Sequence, residues 1–195
     1  MAWNGKVGID LPYHSGTTYN IELNSDLRNV SSHLPSPLDK EAGAALPVKI
    51  KATGDLRSFT LTGSAGQDNH FNSRWLLNQQ LTLDRAIWTA ESHTTPPLPE
   101  REGIELNLPA MDGAQWLALF QKGAADNVGA NANFPQHVTL RTPALTLGGQ
   151  QWNNLSIVSE PTPNGTKVEA QGREITATMA RRNNATWQAF IKYPY

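Results

Sequence analysis

The sequence predicts a mainly β protein: a curved, mostly antiparallel sheet built from hairpins, with one short α-helix. Three observations carry this. Apolar residues recur at every second position along most of the chain, dipeptides suited to tight hairpins separate the runs, and only one window has helical spacing. The stretch His70 to Thr89, HFNSRWLLNQQLTLDRAIWT, is the template for the rest. In its first arm Phe71, Trp75 and Leu77 alternate with Asn72 and Arg74; in its second, Leu81, Leu83 and Ile87 share one face, with Gln80, Thr82 and Asp84 on the other. A period of two with one apolar face describes a half-buried sheet.

The first hairpin pairs Val7, Ile9 and Leu11 with Tyr19, Ile21 and Leu23 across a turn at His14 to Gly16. Residues 24 to 47, broken by Pro35, Pro37, Gly43 and Pro47, read as a long surface connection. Val48, Ile50 and Ala52 mark the next strand, and Phe59, Leu61 and Ala65 the one after. Beyond the template, Ser92 to Gly103 holds Pro96, Pro97 and Pro99 and is excluded from a sheet interior, because proline has no ladder donor. Ile104, Leu106 and Leu108 make a short strand before the helix, Asp112 to Lys122. Asp112 serves there as N-cap, Trp116, Leu117, Leu119 and Phe120 as the apolar stripe, and Gly123 as the stop. Residues 124 to 136 are small and polar and read as a mobile loop. Successive strands follow at Val138 and Leu140, Leu145 and Leu147, Leu155 and Ile157, Val168 and Ala170, Ile175 to Met179, and Trp187 to Ile191. Their turns are at Gly148-Gly149, Asn164-Gly165 and Asn183-Asn184.

The 195 residues fit one unit, with weak sub-units at 1–108 and 109–195. RWLL-NQ-QLTLDRAIW is echoed by ALTL-GGQ-QWNNLSIV at an offset of about 70 residues, a pattern that reads equally as a repeat or as a chance likeness between hairpins. Lysine and arginine number 16 against 17 aspartates and glutamates, so charge does not argue for a nucleic-acid partner. Charged residues are only 17%, and Asn, Gln, Ser and Thr take their place on the wet face of the sheet. There is no cysteine, which suits a cytosolic or bacterial periplasmic setting. No window approaches the ~18 apolar residues of a membrane helix. Strands close to both ends suggest a segment of a longer protein.

Chemistry is hard to find. His14, His33, His70, His93 and His137 are scattered without metal-ligand spacing, so neither a metal nor another cofactor is expected. The neighbours Asp84 and Arg85, and Arg173 and Glu174, point to opposite faces of their strands and form no joint site. Arg181-Arg182 reads as solvated surface, and Trp75, Trp88, Trp116, Trp152 and Trp187 as core anchors. Hydrolase and phosphate-cradling motifs are missing, so no enzyme is expected. What remains is a sheet with one apolar face and a single helix to cover it. Two arrangements satisfy that face: closure on itself as a sandwich or barrel, or a trough completed by a bound ligand.

At FNSRWLL with LTLDRAIW, at LPAMDGAQWLALF and at TLGGQQWNNLSIVS, the sequence resembles the AsmA-like proteins of Gram-negative envelopes, and the resemblance extends over essentially the whole chain. These motifs are structural rather than catalytic. The resemblance implies an internal segment of a periplasm-spanning protein anchored in the inner membrane, in which stacked β-hairpins curl into a hydrophobic groove. Such a groove carries phospholipid acyl chains between inner and outer membranes and supports outer-membrane biogenesis. By the same resemblance, the family's anchor and carboxy-terminal end are expected to lie outside this segment. The expected lining is Phe71, Trp75, Leu77, Leu81, Leu83, Ile87, Leu106, Leu140, Leu147 and Ile157. The rival readings are an envelope scaffold or chaperone, or a carbohydrate-binding β-sandwich, each with a closed core.

Overall fold

Alternation along the chain becomes pairing between strands in the computed structural model, which describes residues 3–13, 16–36, 39–116, 132–182 and 186–192. The strands of the first half are β1 (Asn4–Asp10), β2 (Thr18–Ser25), β3 (Val48–Asp55), β4 (Ser58–Ala65), β5 (Asn69–Leu77), β6 (Leu81–Thr89) and β7 (Gly103–Asn107). They continue with β8 (Met111–Asp112), β9 (Ala132–Asn133), β10 (Val138–Leu147), β11 (Gln150–Thr162), β12 (Gly165–Gln171), β13 (Thr176–Arg182) and β14 (Gln188–Lys192). All belong to one open sheet in the order β1-β2-β3-β4-β5-β6-β7-β10-β11-β12-β13-β14, with β8 on β10 and β9 on β6. The path has two free ends, so the sheet of the described residues does not close into a barrel.

Two antiparallel meanders, β1 to β6 and β10 to β14, are joined through β7, which runs parallel to both β6 and β10. A parallel neighbour requires the chain to return to its starting end. The proline-rich segment between β6 and β7 makes the first return over the polar side, where Asn72 Nδ2 donates to the Pro96 carbonyl (2.9 Å) and Arg85 to that of Pro99 (3.2 Å). The second return lies between β8 and β9. It opens with a helical turn at 113–116, capped as its sequence predicts: Asp112 accepts from the Ala114 N–H (2.9 Å) and the Gln115 amide (3.0 Å). Leu117 to Gly123, the rest of the expected helix and its stop, lie outside the described residues, as do His14, Asn183 and Asn184. Of the expected mobile loop, Ala132 and Asn133 are held in register against Leu81 and Thr82 of β6.

The turns follow their chemistry. Gly148 and Gly149, at φ 62° and 77°, form the two-residue connection of β10 and β11, both residues in the left-handed region that a type I′ turn requires. Thr162 pairs with Gly165, so the next turn is Pro163-Asn164, one residue earlier than the Asn-Gly dipeptide suggests. Val138 to Leu147, expected as two strands, is one; Pro143, lacking its N–H, sits where the ladder with β11 skips a pair, opposite Asn154 at φ 50°. Past this skip Leu145 meets Leu155 and Met111 in a buried cluster, with Leu108, Trp116, Trp152, Ile157, Ala170 and Ile175 packed around it. Trp116 thus anchors the helical turn at one end of the sheet, and its indole N–H donates to the Ser36 carbonyl (3.0 Å).

Glu174 ties the β12–β13 turn to this irregular region by accepting from both the backbone N–H and the side-chain amide of Asn153, each at 2.7 Å. These bonds hold its carboxyl below the ordinary 4.5, the side-chain bond contributing most. A lowered native value means that this group's stabilisation is fully present above 4.5 and is lost as pH falls through the native value. Urea midpoints measured across pH 3 to 7 are expected to fall at the acidic end of that range, and less steeply in Glu174→Gln than in the parent chain. Parallel acid limbs in the two proteins would contradict the assignment.

Candidate functional site

Pairing partners share a face, so the registers sort the side chains of the whole sheet. One face carries Val7 and Ile9 on β1, Tyr19, Ile21 and Leu23 on β2, and Val48, Ile50 and Ala52 on β3. It continues through Phe59 and Leu61 on β4, Phe71, Trp75 and Leu77 on β5, and Leu81, Leu83 and Trp88 on β6. Ile104 and Leu106, then Val138 and Leu140, then Ile157, Val168 and Ala170, and finally Ala177, Met179 and Ile191, extend it to the far edge. The opposite face presents Lys6, Glu22, Lys49, Lys51, Thr62, Arg74, Glu105, Arg141, Glu169 and their like. The division is nearly complete over twelve paired strands.

Among the described residues no full second layer packs on the apolar face; Met111 and Trp116 cover it near Ile157 and Ala170. Phe134 reaches it, edge-on to Trp75 at 6.2 Å, and Trp75 in turn stacks on Phe59 at 6.1 Å. The indole N–H of Trp75 donates to Ser73 Oγ (2.9 Å), which donates onward to the Leu61 carbonyl, so the ring is oriented by its own strand neighbour. No large side chain is fully enclosed anywhere among these residues. Most of the face is half-buried, and the outer strands are open, with Val7 67% and Ile191 52% exposed.

The structure brings Phe71, Trp75, Leu77, Leu81, Leu83, Leu106, Leu140 and Ile157 onto this one face. Ile87 is the exception. A bulge between the Arg74–Arg85 and Trp75–Leu83 pairs leaves Asp84 unopposed, so Ile87 pairs with Asn72 on the polar face. The same bulge corrects a second expectation. With consecutive residues brought to one side, Arg85 does bond Asp84 (3.1 Å), and Arg74 approaches the same carboxylate at 3.8 Å. Leu147 lies beyond the skip at Pro143, two residues past Leu145, and is 38% exposed. Leu83, at 5% exposure, is buried within the sheet rather than open on it. Sequence reasoning confined the site to the middle strands; the equal alternation of Ile21, Leu61 and Val168 was visible, but not that pairing would join them into one surface.

Among the described residues no three His, Asp or Glu side chains come together as metal ligands. The lowered Asp55 carboxyl accepts turn N–H groups from Arg57 and Ser58, and the raised Lys167 ammonium is bonded to Glu169; both sit in or beside hairpin turns.

What the sheet defines is a class: a single-layered, open β protein with one continuous apolar face. The chain belongs to the YhdP family, whose model, described as YhdP protein, matches residues 1–195. It is 73% identical over its full length to the intermembrane phospholipid transporter YhdP of Escherichia coli (strain K12), and spans 15% of that relative's length. No solved structure matches it.

Gly63 on β4 leaves room on the apolar face for a neighbouring ring. Phe71 lies across it, and an added Cβ would meet the Lys49 carbonyl oxygen and the Phe71 ring, the latter at 2.5 Å. Gly63→Val is therefore expected to displace the ring and to destabilise the chain by about 1–3 kcal/mol, the range for overpacking. Restoring space with Phe71→Ala in the same chain should recover part of that loss, as read from a double-mutant cycle in urea; strict additivity would mean that the two residues do not touch.

Proposed function

We propose that the apolar face carries phospholipid acyl chains, as one segment of a longer periplasmic protein that moves lipid between the inner and outer membranes. The observation behind this reading is the apolar face that runs from β1 to β14 and that the described residues cover only in part, near Trp116 and Phe134. Contiguous exposed apolar surface of this extent is kept where something binds it. Acyl chains are attracted by burial alone, about 25 cal/mol per Å2, and need no directional contact, so a wall of Val, Leu, Ile and Phe is sufficient. Headgroups remain in water at the margins. A site with convergent donors would hold one lipid in place, whereas a conduit works by their absence. The transporter named among its relatives supports the same cargo.

The lining in this proposal is Phe71, Trp75, Leu77, Leu81, Leu106, Leu140, Leu147 and Ile157, with the buried Leu83 beside its cross-strand partner Trp75 as support; Ile87 is not part of it. Anchoring in the inner membrane falls to other parts of the longer protein. Asn20 and Ile21 are adjacent in the chain and point to opposite faces, which makes them a matched pair for a test. A photo-crosslinking residue in the full-length protein in cells should give phospholipid adducts at Ile21 and Leu106 and none at Asn20. Adducts at Asn20 alone, or none at any position in folded protein, would rule the proposal out.

A further inference from the structure

The registers that gather the apolar residues also order the polar ones. On the opposite face Asn24, Lys49, Ser64 and His70 are successive cross-strand partners over β2 to β5, and Glu22, Lys51 and Thr62 form the neighbouring row. A cleft of about 290 Å3 opens over these two rows, and Thr95 of the proline-rich return lines it as well. Its charges are unbalanced. Lys51 contacts Glu22 at 3.4 Å, and Lys6 stands opposite the same glutamate on β1, but Lys49 has no carboxylate partner among the described residues. Three lysines against one glutamate leave a local excess of positive charge in a chain whose net charge is −1. Lys49 lines this cleft together with the hydroxyl-bearing Thr62, Ser64 and Thr95 and with Asn24.

One unpaired point charge surrounded by short hydroxyl donors matches a compact oxyanion. We infer that this cleft binds a phosphate or carboxylate group, held by the Lys49 ammonium and the hydroxyls of Thr62, Ser64 and Thr95. The site lies on the face turned away from the acyl-chain surface, so it stands or falls independently of that reading. The oxyanion belongs either to a soluble molecule or to a lipid headgroup presented by a membrane, and the two sources separate in the test.

Amide chemical shifts of the 195-residue chain are followed while inorganic phosphate, sodium glucuronate or phosphatidylglycerol vesicles are added. Both soluble anions should move the amides of Lys49, Thr62 and Ser64 saturably. Lys49→Gln should weaken binding about ten-fold, the loss of one charge-assisted hydrogen bond, and Lys6→Gln by less than about two-fold, as for an exposed rim charge. Thr95→Val, which leaves the strands untouched, should weaken it as well. Attenuation of the same amides by vesicles identifies a headgroup as a source; vesicles without effect identify a soluble anion. Shifts spread equally over all lysines, shifts undiminished in both variants at the cleft, or no saturable shift with either soluble anion would overturn the inference.

Discussion

Everything in this molecule depends on register. A strand shifted by one residue would send its apolar set to the wet side, because side chains alternate with a period of two. Twelve strands keep the phase, so pairs such as Val7–Ile21, Ile21–Ala52, Ala52–Leu61 and Val168–Met179 line up edge to edge. The hydrogen-bonded ladder supplies cohesion between neighbours without a second layer. Each strand then needs only the adjacent ones to place its side chains, and the face extends as far as strands are added.

The two interruptions of the ladder fall where the sheet changes character. At Asp84 the bulge turns Ile87 toward the proline-rich return and draws two arginines onto one carboxylate. At Pro143 and Asn154 the skip in the ladder lets Leu145 reach Leu155 and Met111, and Trp116 packs onto the cluster they form. Both irregularities border the parallel strands β6, β7 and β10, the only part of the long path where the chain returns to the same end between neighbours. The buried Met111–Leu145–Leu155 cluster therefore lies where the second meander meets the topological irregularity.

Period-two alternation was legible along the chain, as were the glycine turn at 148–149 and the cap at Asp112, since each is written in residues close together in sequence. What could not be read was pairing between distant segments. Leu83 and Ile87 are four residues apart and alternate perfectly, and only the extra residue in β6 relative to β5 separates them. The parallel placement of β7 is equally invisible, because the five residues GIELN carry the same pattern in either direction. Val138 to Leu147 is one strand in spite of Pro143 for a local reason: a missing donor ends a ladder only where the partner needs it, and the ladder skips the pair that Pro143 would make with Asn154.

The size of the apolar face has its own consequence. Twelve strands spaced by about 4.8 Å extend for roughly 50 Å along the hydrogen-bonding direction. One leaflet of a bilayer has a hydrocarbon depth of only about 15 Å. An acyl chain laid along that direction would cover a few strands and leave the others bare, and every position would offer it much the same aliphatic floor. Occupancy of such a surface by acyl chains would then be a line density, not a stoichiometry of one.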